Sequence, residues 1–258
     1  MSTMSSLHNF AYAQARIQAR YGQRPAEAAW RQLDGSADFV LYLEHARAGK
    51  LRPWVASFSA STEAHDIEAR LRAGMRTLIG EVAGWLPRAW GPAVHWTVHL
   101  TTLSALLHLS RGGEVQPWMR HDEALAPLLA ASSAASSSRF AGVPASIAQA
   151  LAQGDWLLDA WLAEWRRLWP PIGERERRSL ERLASVVRTH LLDFAHISRE
   201  HAWELRRALE QKLSFLFRRI AFEPAAAFVY LALVALDLER LRAALVGRVL
   251  YPHVRGAP

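Results

Sequence analysis

Hydrophobic positions recur along the chain at three- and four-residue steps. Ile67, Leu71, Met75, Leu78, Val82 and Trp85 follow that spacing, as do Leu205, Leu209, Leu213, Leu216 and Ile220. Each set forms one apolar stripe of an amphipathic helix. Val, Ile and Thr are sparse beside the strong helix formers Ala, Leu, Arg, Glu and Gln, so strand signals are almost absent. The pattern predicts an all-α protein with helices at about 7–21, 25–34, 36–48, 62–86, 92–110, 121–131, 144–152, 155–169, 173–197, 199–222 and 225–247.

Start and stop signals support these elements. Pro25 and Pro92 suit first-turn positions, Asp155 is placed to cap a helix, and Ser198 followed by Glu200 offers another polar start. Pro87, Pro170, Pro171 and Pro224 interrupt the apolar pattern, since a proline lacks the N–H and clashes with the preceding turn. The stretch Ala130 to Ser138 reads AASSAASSS and holds nothing large to bury, which predicts a flexible loop. It divides the chain into helical units at 1–130 and 144–258, joined by a Ser/Ala-rich loop at 131–143.

The two sides of that loop look alike. Residues 64–110 and 200–247 each read as an amphipathic helix, a proline-containing break and a largely apolar helix ending in leucines. A true repeat implies hairpins packed as pseudo-repeated units in a funnel- or bundle-like array; the alternative is the resemblance of any two helical hairpins rich in Leu and Ala.

Composition narrows the chemistry. The 258 residues include no cysteine, which removes thiolate nucleophiles and the common structural zinc sites and fits a reducing compartment. The first nine residues lack the basic and apolar regions of a secretory signal, so the chain is expected to stay in the cytoplasm. The apolar run Ala225 to Leu236 is short of the about 20 residues that span hydrocarbon and reads as a buried core helix. A formal net charge of +7 favours anionic surfaces such as nucleic acid, lipid headgroups or an acidic protein. The basic residues between Glu164 and Arg219 are interleaved with acids, as on solvated helix faces.

Candidate chemistry is thin. His95 and His99 have the i,i+4 spacing of paired imidazole ligands, yet no carboxylate follows until Glu114, beyond the Gly112-Gly113 turn. His190, His196 and His201, with Asp193 and Glu200, form a second loose set. A helical metal-binding protein or small enzyme using His95 and His99 is one alternative reading, and a basic helical nucleic-acid-binding module is another. No nucleophile elbow and no phosphate-cradling glycine loop occurs, so no catalytic residue, cofactor or metal is expected. Trp161, Trp165 and Trp169 fall near one helix face, with Trp156 one step before them, and read as packing between helices.

Three segments resemble a known family. FAYAQARIQARYG (Phe10 to Gly22), SADFVLYLEHAR (Ser36 to Arg47) and EPAAAFVYLALVALDLERLRAALVGRVLYP (Glu223 to Pro252) are similar to the opening, second and closing segments of the cap subunit of the V/A-type (vacuolar/archaeal-type) ATPase central stalk, a family with prokaryotic and eukaryotic members. The resemblance implies a non-catalytic coupling subunit without its own nucleotide site. Such a subunit is seated on the cytoplasmic face of the membrane rotor ring and receives the tip of the central stalk, so its partners are the stalk and the ring, with no nucleic acid and with membrane association through the ring. Partner-facing positions are expected at Tyr12, Arg16 and Arg20 on the first helix and at Arg240 and Arg242 on the last.

Overall fold

A computed structural model describes residues 2–134, 143–153, 156–196 and 201–251. Helices fill most of that length and no strand occurs among the described residues, so the all-α expectation holds. In chain order they are α1 (Ser2–Gly22), α2 (Glu27–Asp34), α3 (Phe39–Ala48), α4 (Arg52–Val55), α5 (Ala64–Trp85), α6 (Gly91–Trp96) and α7 (Leu103–Ser110). There follow α8 (Pro117–His121), α9 (Ala126–Ala134), α10 (Ala145–Gln153), α11 (Leu157–Arg167), α12 (Glu174–His196), α13 (Ala202–Arg219) and α14 (Ala225–Leu250). The proposed caps Asp155 and Ser198, with Glu200, lie outside the described residues, as does 135–142 of the Ser/Ala-rich segment. Residues 131–134 of that segment close α9.

Contacts divide the chain into two compact units. The first joins Met1–Gly74 with Glu174–Pro258, and the second is Met75–Gly173. In the first unit α14 is the central element. Ala225 to Leu231 are all buried, as expected where several helices cover one apolar segment and small alanines let them approach. It packs against α1, α3, α12 and α13. Phe10, Ala13 and Ile17 of α1, Tyr42 and Leu43 of α3, Leu180 and Leu183 of α12, and Leu213 and Phe217 of α13 complete this core.

In the second unit, α10 packs on α7 and α11, and α11 on α6. The single helix expected at 92–110 is broken here. A 3-10 segment, Thr97–Thr101, separates α6 from α7. Its cause is local: the hydroxyls of Thr97, Thr101 and Thr102 donate to the carbonyls of Val94, Val98 and His99 at 2.7, 2.8 and 3.0 Å. Side chains competing for those carbonyls favour the tighter winding. The corresponding stretch of the other hairpin, α14, runs unbroken for 26 residues, so the two hairpins differ where the repeat should be most alike.

Candidate functional site

The residues with the most built polar geometry lie in the first unit, where α14 meets α2, α3 and the residues just before each of them. Arg24, two residues past α1, forms a bidentate pair with Asp237 of α14: Nε to Oδ2 at 2.6 Å and Nη2 to Oδ1 at 2.9 Å. Its Nη2 also donates to Glu210 Oε1 of α13 at 3.1 Å. Both side chains of the main pair are about nine-tenths buried, at 10% and 9% exposure. Burial pushes the Asp237 carboxyl up to about 6, against the opposing pull of the Arg24 guanidinium. The fork geometry matches a carboxylate with two parallel bonds, which fixes direction as well as distance.

Arg240, one helical step from Asp237, is held between the rings of Trp30 and Trp203, 4.7 and 5.0 Å from their centroids. Its nitrogens reach Glu27 Oε2 and Asp34 Oδ2, each at 2.8 Å, and that contact holds the Glu27 carboxyl below its usual range. Arg248 donates from Nε and Nη2 to the Ser36 carbonyl at 2.9 and 2.7 Å and lies over the Tyr42 ring. Each arginine ties the last helix to a segment more than 200 positions earlier in the chain.

These contacts sort the residues expected to face partners. Tyr12 is 58% exposed, and the Arg16 guanidinium lies 5.9 Å from its ring centroid. Arg20 is half-buried further along α1. Arg240 is committed to the internal contacts above, with only 13% of its side chain exposed. Arg242 pairs with Glu68 at 2.8 Å but keeps 44% exposure. Tyr12 and Arg16 therefore lie on the outward face of α1, Arg242 is half open, and Arg240 is an internal tie.

Arg24, Asp237 and Arg248 went unnoticed in the sequence. The signal was present for Asp237: an acid followed by further apolar turns needs a cation when buried.

Among the described residues the candidate histidines form no comparable cluster. His95 is exposed on α6, whereas His99 is half-buried in the 3-10 segment, its ring edge-on to Trp96 at 4.6 Å. Burial lowers the His99 pKa, and the 3-10 winding removes the shared α-helical face. His190 is also held low, chiefly by burial. The side chain of His196 and all of Glu200 lie outside the described residues. Among the described residues no group of three or more His, Cys, Asp or Glu converges to hold a metal.

The tryptophans behave as their spacing predicts. Trp161 stacks on Trp165 at 5.8 Å, and Trp165 meets Trp169 edge-on at 4.9 Å. The sequence missed the fourth member, Trp96, which stacks on Trp161 at 6.4 Å and donates its indole N–H to the Trp161 carbonyl at 3.0 Å. Trp156, the residue before α11, is 39% exposed.

Comparison with protein-family models, curated proteins and solved structures gives no match for this chain. No described helix is long and apolar enough to cross a membrane.

Proposed function

We propose that the chain is a non-catalytic helical coupling subunit of a V/A-type rotary ATPase, joining the central stalk to the membrane rotor ring on its cytoplasmic face. The observation that supports this reading is the gathering of the three resembling segments. Phe10 to Gly22 lies in α1, Ser36 to Arg47 runs into α3, and Glu223 to Tyr251 forms α14 with its flanks. All belong to the first unit, where α14 packs on both α1 and α3. A torque-bearing part needs stiffness rather than an active site, and close-packed helices tied by bidentate ion pairs supply it. Tyr12, Arg16 and Arg242, on the outer faces of these helices, are the positions placed to meet the stalk or the ring.

The test is assembly from purified parts. The chain, mixed with the isolated rotor ring and the isolated central stalk of the same cell, is expected to comigrate with both in gel filtration. Failure to bind either one overturns the reading.

A further inference from the structure

The exposed face of α13 carries a feature that the packing of the first unit does not require. From Gln211 to Phe222 the chain holds three cations, Lys212, Arg218 and Arg219, and no acid. Lys212, Phe215 and Arg219 recur at three- and four-residue steps, so they share an exposed face that flanks the buried stripe of Leu209, Leu213, Leu216 and Phe217. Phe215 is 49% exposed with the Arg219 guanidinium 5.1 Å from its ring centroid. Arg218 turns back to the Ser214 carbonyl at 3.3 Å. Neither Arg218 nor Arg219 has a carboxylate partner among the described residues.

A second observation is independent of the first. Phe222, just beyond α13, is the one described non-glycine residue with a positive φ, at 59°. That backbone is held by Gln14, buried on α1, whose Oε1 accepts the Phe222 N–H at 3.1 Å. Glycine adopts this conformation at no steric cost, whereas a bulky side chain is strained in it. Phe222 nevertheless stays 44% exposed. Strain held in place by a buried contact, for an aromatic residue left nearly half exposed, points to a use for that side chain outside the fold.

We propose that this face of α13, with Phe215 and Phe222 as insertion points and Lys212, Arg218 and Arg219 around them, docks on an anionic lipid bilayer surface. Aromatic rings of an interfacial helix sit at the boundary between headgroups and acyl chains while arginines bind phosphates. The overall charge of +7 attracts the same surface. An exposed helix ridge with protruding rings suits a deformable lipid layer, and an acidic protein partner would gain little from phenylalanines without a pocket to receive them. This attachment does not depend on the coupling role. It would add direct lipid contact to whatever protein partners the chain has.

The test uses the purified full chain and sedimentation with vesicles, free of any rotary subunit, so its failure leaves the coupling reading untouched. Binding is expected to vesicles of phosphatidylcholine with phosphatidylglycerol and not to phosphatidylcholine alone. R218E/R219E should weaken it by about 25-fold or more, since each cation near an anionic surface strengthens binding about fivefold. R111E/R120E, with the same charge change at exposed sites of the other unit, should weaken it far less. Phe222→Gly should lower binding by about threefold or more while leaving the melting temperature unchanged or raised, because it relieves the backbone and removes an insertion point. Equal loss in both arginine pairs, unchanged binding by Phe222→Gly, or equal binding to both vesicle types would overturn the proposal. So would vesicle-independent self-association abolished by Phe215→Ser.

Discussion

The two units solve the same packing problem with different chemistry. The first is assembled from the two ends of the chain, and directed ion pairs close it: Arg24 with Asp237 and Glu210, Arg240 with Glu27 and Asp34, and Arg242 with Glu68. The second is a continuous stretch that holds a run of packed indoles, Trp96, Trp161 and Trp165 stacked and Trp169 edge-on. The difference follows from sequence separation. Distant segments can be covered by an apolar helix in several registers, and an arginine fork that accepts one carboxylate geometry selects among them. A contiguous unit has short connections that already restrict the register, so nondirectional burial carries more of its packing beside the long-range tie of Arg76 to the buried Asp122 at 3.5 Å.

The contrast is open to substitution. Trp165→Ala, which empties the middle of the indole run, is expected to cost about 4 kcal/mol through lost burial and a residual cavity. Arg24→Ala leaves the buried Asp237 carboxyl without its guanidinium and is expected to cost about 3 kcal/mol. Urea denaturation of both variants checks the pair. A loss near zero for Arg24→Ala would remove the ion pair as the closure of the first unit.

Proton linkage gives the next effect. The Asp237 carboxyl, at about 6 when folded against 3.8 as its ordinary value, binds protons more readily in the folded state. Its contribution to stability is therefore fully present below about pH 4 and is lost as pH rises through about 6. Stability of the wild type relative to Asp237→Asn should fall with rising pH across that window, by on the order of 1 kcal/mol per pH unit. A relative stability that rises instead would mean that the Arg24 pairing outweighs burial. Smallest is the rim pair. Arg242→Ala, with 44% of the arginine side chain exposed, is expected to change stability by about 0.5 kcal/mol or less, read from the same denaturation curves.

Much of the fold was legible because helical periodicity is a local property. The stripes at Ile67 to Trp85 and Leu205 to Ile220 fall in α5 and in α13 with its C-cap, and the apolar run after Pro224 is the buried centre of the first unit. The 3-10 break at Thr97 was missed although its cause is also local, since apolar spacing carries no record of hydroxyls bonding back to the preceding turn. The candidate site was less legible. Arg240 looked like a surface arginine because its partners Glu27 and Asp34 are more than 200 positions away, and pairing over that distance leaves no periodic trace. Tyr12 and Arg16 were recognisable as outward-facing because the apolar positions Phe10, Ala13 and Ile17 define the buried side of α1 on their own.

The proposed role as a mechanical coupler meets its most direct test in the ratio of ions moved to ATP hydrolysed, measured on membrane vesicles from cells lacking this chain. The account predicts that hydrolysis by the rotary enzyme continues while ATP-driven ion uptake collapses, and that adding back the purified chain restores uptake. Full uptake in its absence would contradict the coupling role.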